Sequence, residues 1–466
     1  MPQTWANYGI DLHLEVAGSR VRSALEAALR DAVRNGRLAT GVRLPSSRDL
    51  AGDLGIARNT VADAYGQLVA EGWFEAKTGS GTWVAEQPVP AAVRPRTDGV
   101  SQPADPRYDL RAGVPAVSAF PRRAWQAAGR SALAAAGDQV LGYPDPRGLA
   151  ELRTALAGYL GRARGVLARP ENIVICTGFV QALALICRVL CERGKSVLAI
   201  EAYGHMLHRR ITTAHGMELA SLAVDAAGAV PDMLESSGAA AALLTPAHQY
   251  PLGMTLAPGR RTAFVRWAAR TDGFIVEDDY DGEFRFDRQP VGAMQALAPG
   301  QVIYAGTASK SLAPGLRLGW LVVPDPLIDE LIATKELSGG ANGTLEQLTL
   351  ATFIESGGYD RQIRQARLAY RRRRDRLTAA LRRAAPAVRL TGIAAGLHAV
   401  AELAGADSEA DVVARAARHG VAVDGLRSYA APGHEREPAL VVGYGRPAEH
   451  AFTTAVGRLC AALAPG

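Results

Sequence analysis

Apolar residues recur along this chain with two different spacings, and the change of spacing marks its parts. Val21, Ala24, Leu25, Ala28, Leu29, Ala32 and Val33 fall three to four positions apart, which predicts an amphipathic helix with Ser19 as cap and Gly36 as stop. A second, shorter helix is predicted after Pro45, where Ser46 and Asp49 have capping-box spacing, Leu50 and Leu54 supply an apolar side and Gly55 ends it. A third carries Val61, Ala64, Tyr65, Leu68 and Val69 on one face and closes at Gly72. Trp73 to Val84, with Gly79-Ser80-Gly81 in its middle, predicts a two-stranded hairpin with a glycine-rich tip. Three short helices and a hairpin make a winged helix-turn-helix over residues 10–85.

The spacing then changes. Residues 86–107 hold five prolines, few large apolar residues and no period, as expected of an extended linker. Beyond it, apolar runs of strand length alternate with helical stretches: Asn172–Cys176, Val197–Ile200, Ala241–Leu244, Phe274–Val276, Val302–Tyr304 and Leu318–Val322, with helices such as Ala182–Glu192 and Arg260–Arg270 between them. That alternation predicts an α/β domain over 108–466 with a mostly parallel sheet, ligands binding at the carboxyl ends of its strands. An arginine-rich helix around Ile363–Leu381 leads to a smaller C-terminal α+β lobe.

Composition refines this only a little. The net charge of +6 points weakly toward nucleic acid. Through Pro90, however, nine Lys and Arg face ten Asp and Glu, so contact with DNA must come from a few placed arginines. Arg58 and Asn59 open the third helix away from its apolar face, where paired hydrogen bonds to purine edges are possible. Arg48, Thr60 and the amides near Ser80 and Gly81 suit phosphate contacts. No apolar run has membrane length and Met1–Ile10 has no secretory pattern, so a soluble cytoplasmic protein is expected. Cys176, Cys187, Cys191 and Cys460 have no metal-ligand spacing and read as free thiols.

Polar residues gather at the predicted strand ends. Thr177, Gly178 and Phe179 follow the first strand and Tyr203 the second. Thr245 to Pro251 follow the third, and Asp278, Asp279 and Tyr280 the fourth. Thr307, Ser309 and Lys310 follow the fifth, with Arg317 beyond. A pyridine cofactor bearing an aldehyde and a phosphate needs such a set. Lys310 would form the Schiff base, Asp278 would hold the ring nitrogen protonated and Tyr280 would contact the ring hydroxyl. Thr177, Thr307, Ser309, Arg317 and the helix start at Gly178 and Phe179 would hold the phosphate, and Tyr203 would stack on the ring.

Leu44-Pro45-Ser46-Ser47-Arg48-Asp49-Leu50-Ala51, Leu54 to Val61 and Gly79-Ser80-Gly81-Thr82 together resemble the GntR class of bacterial regulators. Ala57 departs from it, standing where the family usually has a Ser or Thr cap, a loss of roughly 1 kcal/mol. Leu141 to Gly148, Thr245 to Pro251, Glu277 to Arg285 and Gly306 to Gly319 resemble fold-type-I aminotransferases. The combination resembles the MocR subfamily of GntR regulators, some of which, the PdxR type, control vitamin B6 synthesis and others the use of GABA or taurine. The resemblance implies pyridoxal 5'-phosphate (PLP) on Lys310, a head-to-tail homodimer, binding to double-stranded operator DNA, and an aminotransferase-like domain used as a sensor and not as an enzyme. Two departures bear on the site. Ala202-Tyr203-Gly204-His205 replaces the usual Pro-Gly-Tyr-Pro-Gly around the stacking aromatic, and Leu440-Val441-Val442-Gly443-Tyr444 lacks the arginine that holds a substrate carboxylate, with Arg436 and Arg446 standing elsewhere.

Other readings stay open on sequence alone. The first module can be a small protein-binding helical domain, and Lys310 with Asp278 an ordinary salt bridge in a domain that binds nothing. Tyr203 and Tyr280 can be core aromatics and His248 a turn residue. Arg371 to Arg374 with Arg376 read better as a solvated or acid-paired helix face than as a DNA contact. A working aminotransferase, and a sensor of PLP together with an amino compound, are the rival functions.

Overall fold

The computed structural model describes residues 21–77, 79–86, 106–286, 291–403 and 408–464. Most of the expected linker and the Ser19 cap lie outside the described residues. The chain divides into two units, Met1–Pro103 and Ala104–Gly466, and each is taken by itself.

In the first unit, helices α1 (Val21–Arg34), α2 (Ser47–Leu54) and α3 (Arg58–Ala70) precede strands β1 (Phe74–Lys77) and β2 (Gly81–Val84), which pair antiparallel. Leu25, Leu29, Leu50, Val61, Ala64, Leu68, Phe74 and Val84 are buried together. Full burial of each such leucine or phenylalanine contributes about 1.5–3 kcal/mol. Ser46 caps α2, its hydroxyl accepting from the Asp49 amide at 3.2 Å, and Gly55 ends that helix at φ 65°. Arg30 on α1 makes a forked pair with Glu71 just past α3, at 2.7 Å for both contacts. α3 starts at Arg58 with no side-chain cap from Ala57.

The second unit opens with β3 (Tyr108–Asp109), α4 (Arg122–Ala135) and α5 (Ala150–Arg164). Then come β4 (Ile173–Cys176), α6 (Phe179–Glu192), β5 (Val197–Glu201), α7 (Met206–Ala214), β6 (Glu218–Leu222) and the short pair β7 (Val224–Asp225) and β8 (Gly228–Ala229). β9 (Ala241–Leu244), α8 (Pro258–Thr271), β10 (Phe274–Asp278), β11 (Val302–Thr307), α9 (Ala308–Ser311) and β12 (Gly319–Val322) complete the large sheet and its connections. Its seven strands run in the order β4-β12-β11-β10-β9-β5-β6. β12 pairs antiparallel with both neighbours, and every other pairing is parallel. Alternate residues of one strand face opposite layers: Ile173 and Ile175 pack with α5, α11 (Thr344–Glu355) and α12 (Gly358–Ala384), whereas Val174 and Cys176 pack with α6 and α10 (Asp325–Leu337). β6 escaped the sequence reading because an edge strand of only five residues, Glu-Leu-Ala-Ser-Leu, carries no distinctive run.

The C-terminal lobe contains β13 (Arg389–Thr391), β14 (His398–Glu402), α13 (Glu409–Arg418), β15 (Val421–Ala422), β16 (Asp424–Gly425), β17 (Ala439–Gly443) and α14 (Glu449–Leu463). Four of these strands form a sheet in the order β13-β14-β17-β16, and β15 pairs with β3. The arginine run on α12 is only partly a solvated face. Arg373 is buried, donating to Glu449 and to the carbonyls of Tyr444 and Gly445, because the end of β17 leaves those acceptors without strand partners. Arg371 and Arg372 are exposed.

Candidate functional site

Consecutive strands of a parallel sheet end on the same side, so residues far apart in the chain meet there. A cavity of about 330 Å³ opens at that edge. Nine of the ten residues expected to hold the cofactor line it: Lys310, Asp278, Tyr280, Tyr203, Gly178, Phe179, Thr307, Ser309 and Arg317. Thr177 does not; its amide donates to the Gln181 side chain at 2.7 Å, an N-terminal cap on α6.

Lys310 sits on α9, the single turn after β11, and its Nζ donates to the Gly113 carbonyl at 2.5 Å. Burial lowers its pKa against the opposing pull of Asp278 and Asp281, which favours the neutral, nucleophilic amine. It makes no ion pair with Asp278, so the ordinary-salt-bridge reading is not what the geometry presents. Asp278 closes β10, and burial pushes its carboxyl up to about 8. Among the described residues no side chain or amide hydrogen-bonds to that carboxyl. A cationic ring N–H would supply the missing partner.

The phosphate end is equally open. Gly178 begins α6 at φ 125°, a conformation that side-chain-bearing residues rarely adopt, and a Cβ there would lie 3.8 Å from the Arg317 guanidinium. Among the described residues that guanidinium has no hydrogen-bond or ion-pair partner. Thr307 caps α9 by accepting from the Ser309 amide at 3.0 Å, which fixes the turn that carries Ser309 and Lys310. An α-helix N-terminus, a free arginine and two hydroxyls make a dianion site. The residues present therefore fit a phosphorylated pyridine aldehyde.

Tyr203 corrects the sequence reading in part. It lines the cavity, but its hydroxyl donates to the His434 carbonyl and the Arg436 guanidinium lies 5.5 Å over its ring, so its apolar body belongs to the cluster with Leu426 and Tyr429. His205 lines the cavity as well, its ring near-parallel to that of His208 at 5.1 Å. Its Nδ1 accepts from the Leu207 amide at 3.2 Å and caps α7. Counting His205 as the aromatic of the Pro-Gly-Tyr-Pro-Gly pattern, with Tyr203 at its first position, was the signal available in the sequence.

Glu201 was also missed. It ends β5 in the cavity wall, and its Oε2 accepts from Thr245 Oγ1 at 2.5 Å and from Gln249 Nε2 at 3.2 Å. Burial pushes Glu201, Glu277 and Glu283 up to about 7. These shifts set a sign for stability. As pH climbs past 6.5 the histidines held neutral by burial progressively cease to differ between folded and unfolded chain, whereas the raised carboxyls are protonated only when folded. The proton held by Asp278 is matched by the one that a neutral Lys310 lacks, so the net effect falls on Glu201, Glu277 and Glu283: stability of the ligand-free protein is expected to fall as pH rises from about 6.5 to 8, by roughly 1 kcal/mol for each. Thermal melts across that window check it, and a flat or rising profile refutes the burial of these three carboxyls in protonated form.

In the first unit, Arg48, Arg58 and Asn59 are exposed, and among the described residues their side chains have no partner. Thr60 lies half-buried in the first turn of α3, with its amide on the Ala57 carbonyl at 3.0 Å. The amide of Ser80 closes the hairpin turn onto the Lys77 carbonyl at 2.9 Å, and its hydroxyl accepts from Trp83 Nε1 at 3.3 Å. That amide is thus occupied, which the sequence could not reveal, while Gly81 remains exposed at the tip.

Residues 22–84 match the gntR family of bacterial regulatory proteins, and residues 109–436 match aminotransferase class I and II. HTH-type transcriptional regulator YhdI of Bacillus subtilis is 34% identical, with 93% of each chain covered. The HTH-type pyridoxine biosynthesis transcriptional regulator PdxR of Corynebacterium glutamicum is 32% identical, with 96% of each covered. The chain belongs to the MocR subfamily of GntR transcriptional regulators. Within that subfamily the probable rhizopine catabolism regulatory protein MocR of Rhizobium meliloti is 34% identical over 76% of each chain. Among solved structures, kynurenine aminotransferase of Pyrococcus horikoshii superposes with a TM-score of 0.68 at 25% identity, covering 76% of this chain and 90% of its own. The MocR-type chain is thus a helix-turn-helix regulator with a fold-type-I aminotransferase-like domain, a family in which DNA and PLP are the implied ligands. No helix among the described residues is long and apolar enough to cross a membrane.

Proposed function

We propose that this MocR-type regulator binds PLP covalently at Lys310 and that the bound cofactor alters its affinity for operator DNA. The observation that carries the reading is the pairing of two groups without partners, the Asp278 carboxyl and the Arg317 guanidinium, on either side of a lysine whose charge is disfavoured by burial. PLP supplies a reactive aldehyde, a protonatable ring and a phosphate dianion. Lys310 would take the aldehyde, Asp278 the ring N–H, Tyr280 the ring oxygen and His205 one ring face. Arg317, Ser309, Thr307 and the α6 start at Gly178 and Phe179 would take the phosphate. The effect on DNA requires that PLP bind two arrangements of the regulator with different affinity. The test is a titration of DNA from the region upstream of its own gene with the ligand-free and PLP-loaded forms. Identical affinities in the two forms would falsify the reading.

Control of vitamin B6 supply is the target that best suits a sensor of PLP itself, and the PdxR relative bears that role in its name. An amino-acid co-effector is less well served. Among the described residues, Lys310 and Arg317 are the lysine and arginine side chains lining the cavity, and neither is spare for a carboxylate. Arg446 is paired with Asp109 at 2.9 Å, and Arg436 donates to the Val224 carbonyl. The same shortage argues for a sensor and against physiological transamination; rapid keto-acid formation from a panel of amino acids would reverse that. Exposed Leu133, Leu141 and Tyr143 suit burial against a second copy, in keeping with a head-to-tail homodimer.

For DNA, α3 would enter the major groove with Arg58 and Asn59 reading bases, while Arg48, Thr60, Gly81 and the hydroxyl of Ser80, in place of its occupied amide, meet phosphates. Arg58→Ala is expected to cost about 1–3 kcal/mol of specific binding and to relax preference at one base pair. Arg48→Ala should weaken all sequences alike and lower the salt slope by about one. Fluorescence anisotropy at several salt concentrations separates the two; equal behaviour of both variants refutes this division of labour.

A further inference from the structure

Behind Tyr280 lies a buried group of side chains that the cofactor-binding set does not use. His248 and Asp281 are 2% and 1% exposed, and Asp281 Oδ2 stands 2.9 Å from His248 Nδ1. The same nitrogen is 3.1 Å from the Tyr280 hydroxyl oxygen. Among the described residues that hydroxyl has no other partner. The second oxygen of Asp281 is buried without a hydrogen bond, so the carboxylate depends on His248. His398 packs beside His248, ring centroids 5.2 Å apart, and its Nε2 donates to the Pro251 carbonyl at 3.0 Å. Burial and the neighbouring His248 hold His398 neutral at physiological pH, so it adds no competing charge. The fit depends on Gly396: a Cβ there would come within 2.4 Å of both Asp281 Oδ2 and His248 Cε1. Tyr444 holds that glycine in place through its hydrogen bond to the Gly396 carbonyl at 2.9 Å.

The position of one hydrogen follows from this geometry. A carboxylate only accepts, so the contact between Asp281 and His248 places the imidazole hydrogen on Nδ1. A nitrogen that already carries a hydrogen cannot accept one from Tyr280. The phenol oxygen is left to share that N–H as an acceptor, and its own hydrogen must point elsewhere. The open direction is the cavity that Tyr280 lines.

We propose that His248 and Asp281 are positioning residues that make Tyr280 an obligate hydrogen-bond donor into the cofactor cavity. This rests on the reading that PLP occupies the cavity, where the acceptor would be its ring oxygen. Replacing Asp281 by Leu tests the idea at nearly constant shape. The leucine has the same branching but neither donates nor accepts, so nothing holds the imidazole hydrogen on Nδ1; with that hydrogen on Nε2, Nδ1 accepts from Tyr280 and the phenol hydrogen is turned from the cavity.

The first measurement needs no cofactor. In nitrogen-15 histidine spectra of the ligand-free full chain, His248, assigned by its loss in His248→Asn, should show the Nδ1-protonated tautomer, and Asp281→Leu should shift it toward Nε2. The second is PLP affinity. Asp281→Leu and Tyr280→Phe are each expected to weaken PLP roughly tenfold. The double variant should be no weaker than Tyr280→Phe alone. His248→Asn, whose amide can keep an N–H near the Nδ1 position, should retain most of the affinity that His248→Leu loses. An Nε2-protonated His248 in the wild type, or additive losses in the double variant, overturns the proposal. Since the buried donors of His248, Asp281 and His398 lie within 4.8 Å of one another, one metal ion per chain, lost in His248→Leu, would overturn it too. Failure of the wild type to take up PLP would refute the reading of the cavity and leave the tautomer measurement to decide the inference.

Discussion

Lys310→Ala protein is expected to remain folded, to give no borohydride-trapped PLP adduct and to bind operator DNA with the same affinity whether or not PLP is present. The expectation is of complete loss because the lysine is the single covalent anchor, while the remaining contacts are the hydrogen bonds and ion pairs of a water-accessible site. The side chain is half-buried and its one hydrogen bond is to the Gly113 carbonyl, so truncation removes no structural ion pair. It also relieves the burial of an amine whose charge is disfavoured. Thermal stability should therefore be close to that of the ligand-free wild type. Mass spectrometry after borohydride treatment reads the adduct, and anisotropy with and without PLP reads the response. A variant that still shows the full PLP-dependent change in DNA affinity would show that signalling does not pass through Lys310.

Arg164→Ala carries the largest expected loss of stability. Arg164 and Asp279 are each 2% exposed and form a forked pair, with Nε to Oδ2 at 2.7 Å and Nη2 to Oδ1 at 3.1 Å. Tyr304 donates a third hydrogen bond to Asp279 at 2.8 Å, and Arg164 Nη1 donates to the Gly282 carbonyl at 3.1 Å. The pair ties the end of α5 to the segment that follows Asp278. Burial, and after it the charge of Asp279, pushes Glu277 and Glu283 toward the protonated state, so the negative charge that Arg164 compensates here is that of Asp279. Removing one partner of a buried pair leaves an uncompensated charge, at a cost of about 3–5 kcal/mol. The melting temperature should drop by roughly 5 °C. Arg164→Ala with Asp279→Asn should recover part of the loss, since it removes the stranded charge. A change below about 1 kcal/mol would mean that Asp279 protonates or finds another partner at little cost. Because Asp278 is the adjacent residue, PLP affinity should fall along with stability.

These two positions illustrate how differently the chain advertises its parts. Lys310 was legible because strand-end motifs come in a fixed order, and each is a short string of neighbours. The helices of the first unit were legible for the same reason: Leu25 and Leu29, or Val61, Ala64 and Leu68, record their burial in their spacing. The fork between Arg164 and Asp279 was not, since it spans 115 positions and neither residue stands in a pattern that asks for the other. Glu201 was hidden similarly, as one more acidic residue at the end of an apolar run.

By itself the sequence determined the order and type of the main elements, the two-part organisation and most of the candidate residues that the fold brings to the cavity, because periodicity and turn chemistry are local properties of a chain. Only the tertiary structure decided that the Tyr203 hydroxyl is tied to the His434 carbonyl while His205 joins it in the cavity wall, that the Ser80 amide is spent on its own hairpin, and that His248 and Asp281 stand against Tyr280. Those outcomes depend on where a side chain's hydrogen bonds are satisfied, by the His434 carbonyl for Tyr203 and by a carboxylate 33 positions away for His248. Partners of that kind are chosen by packing in three dimensions, and nothing in the spacing of residues along the chain encodes them.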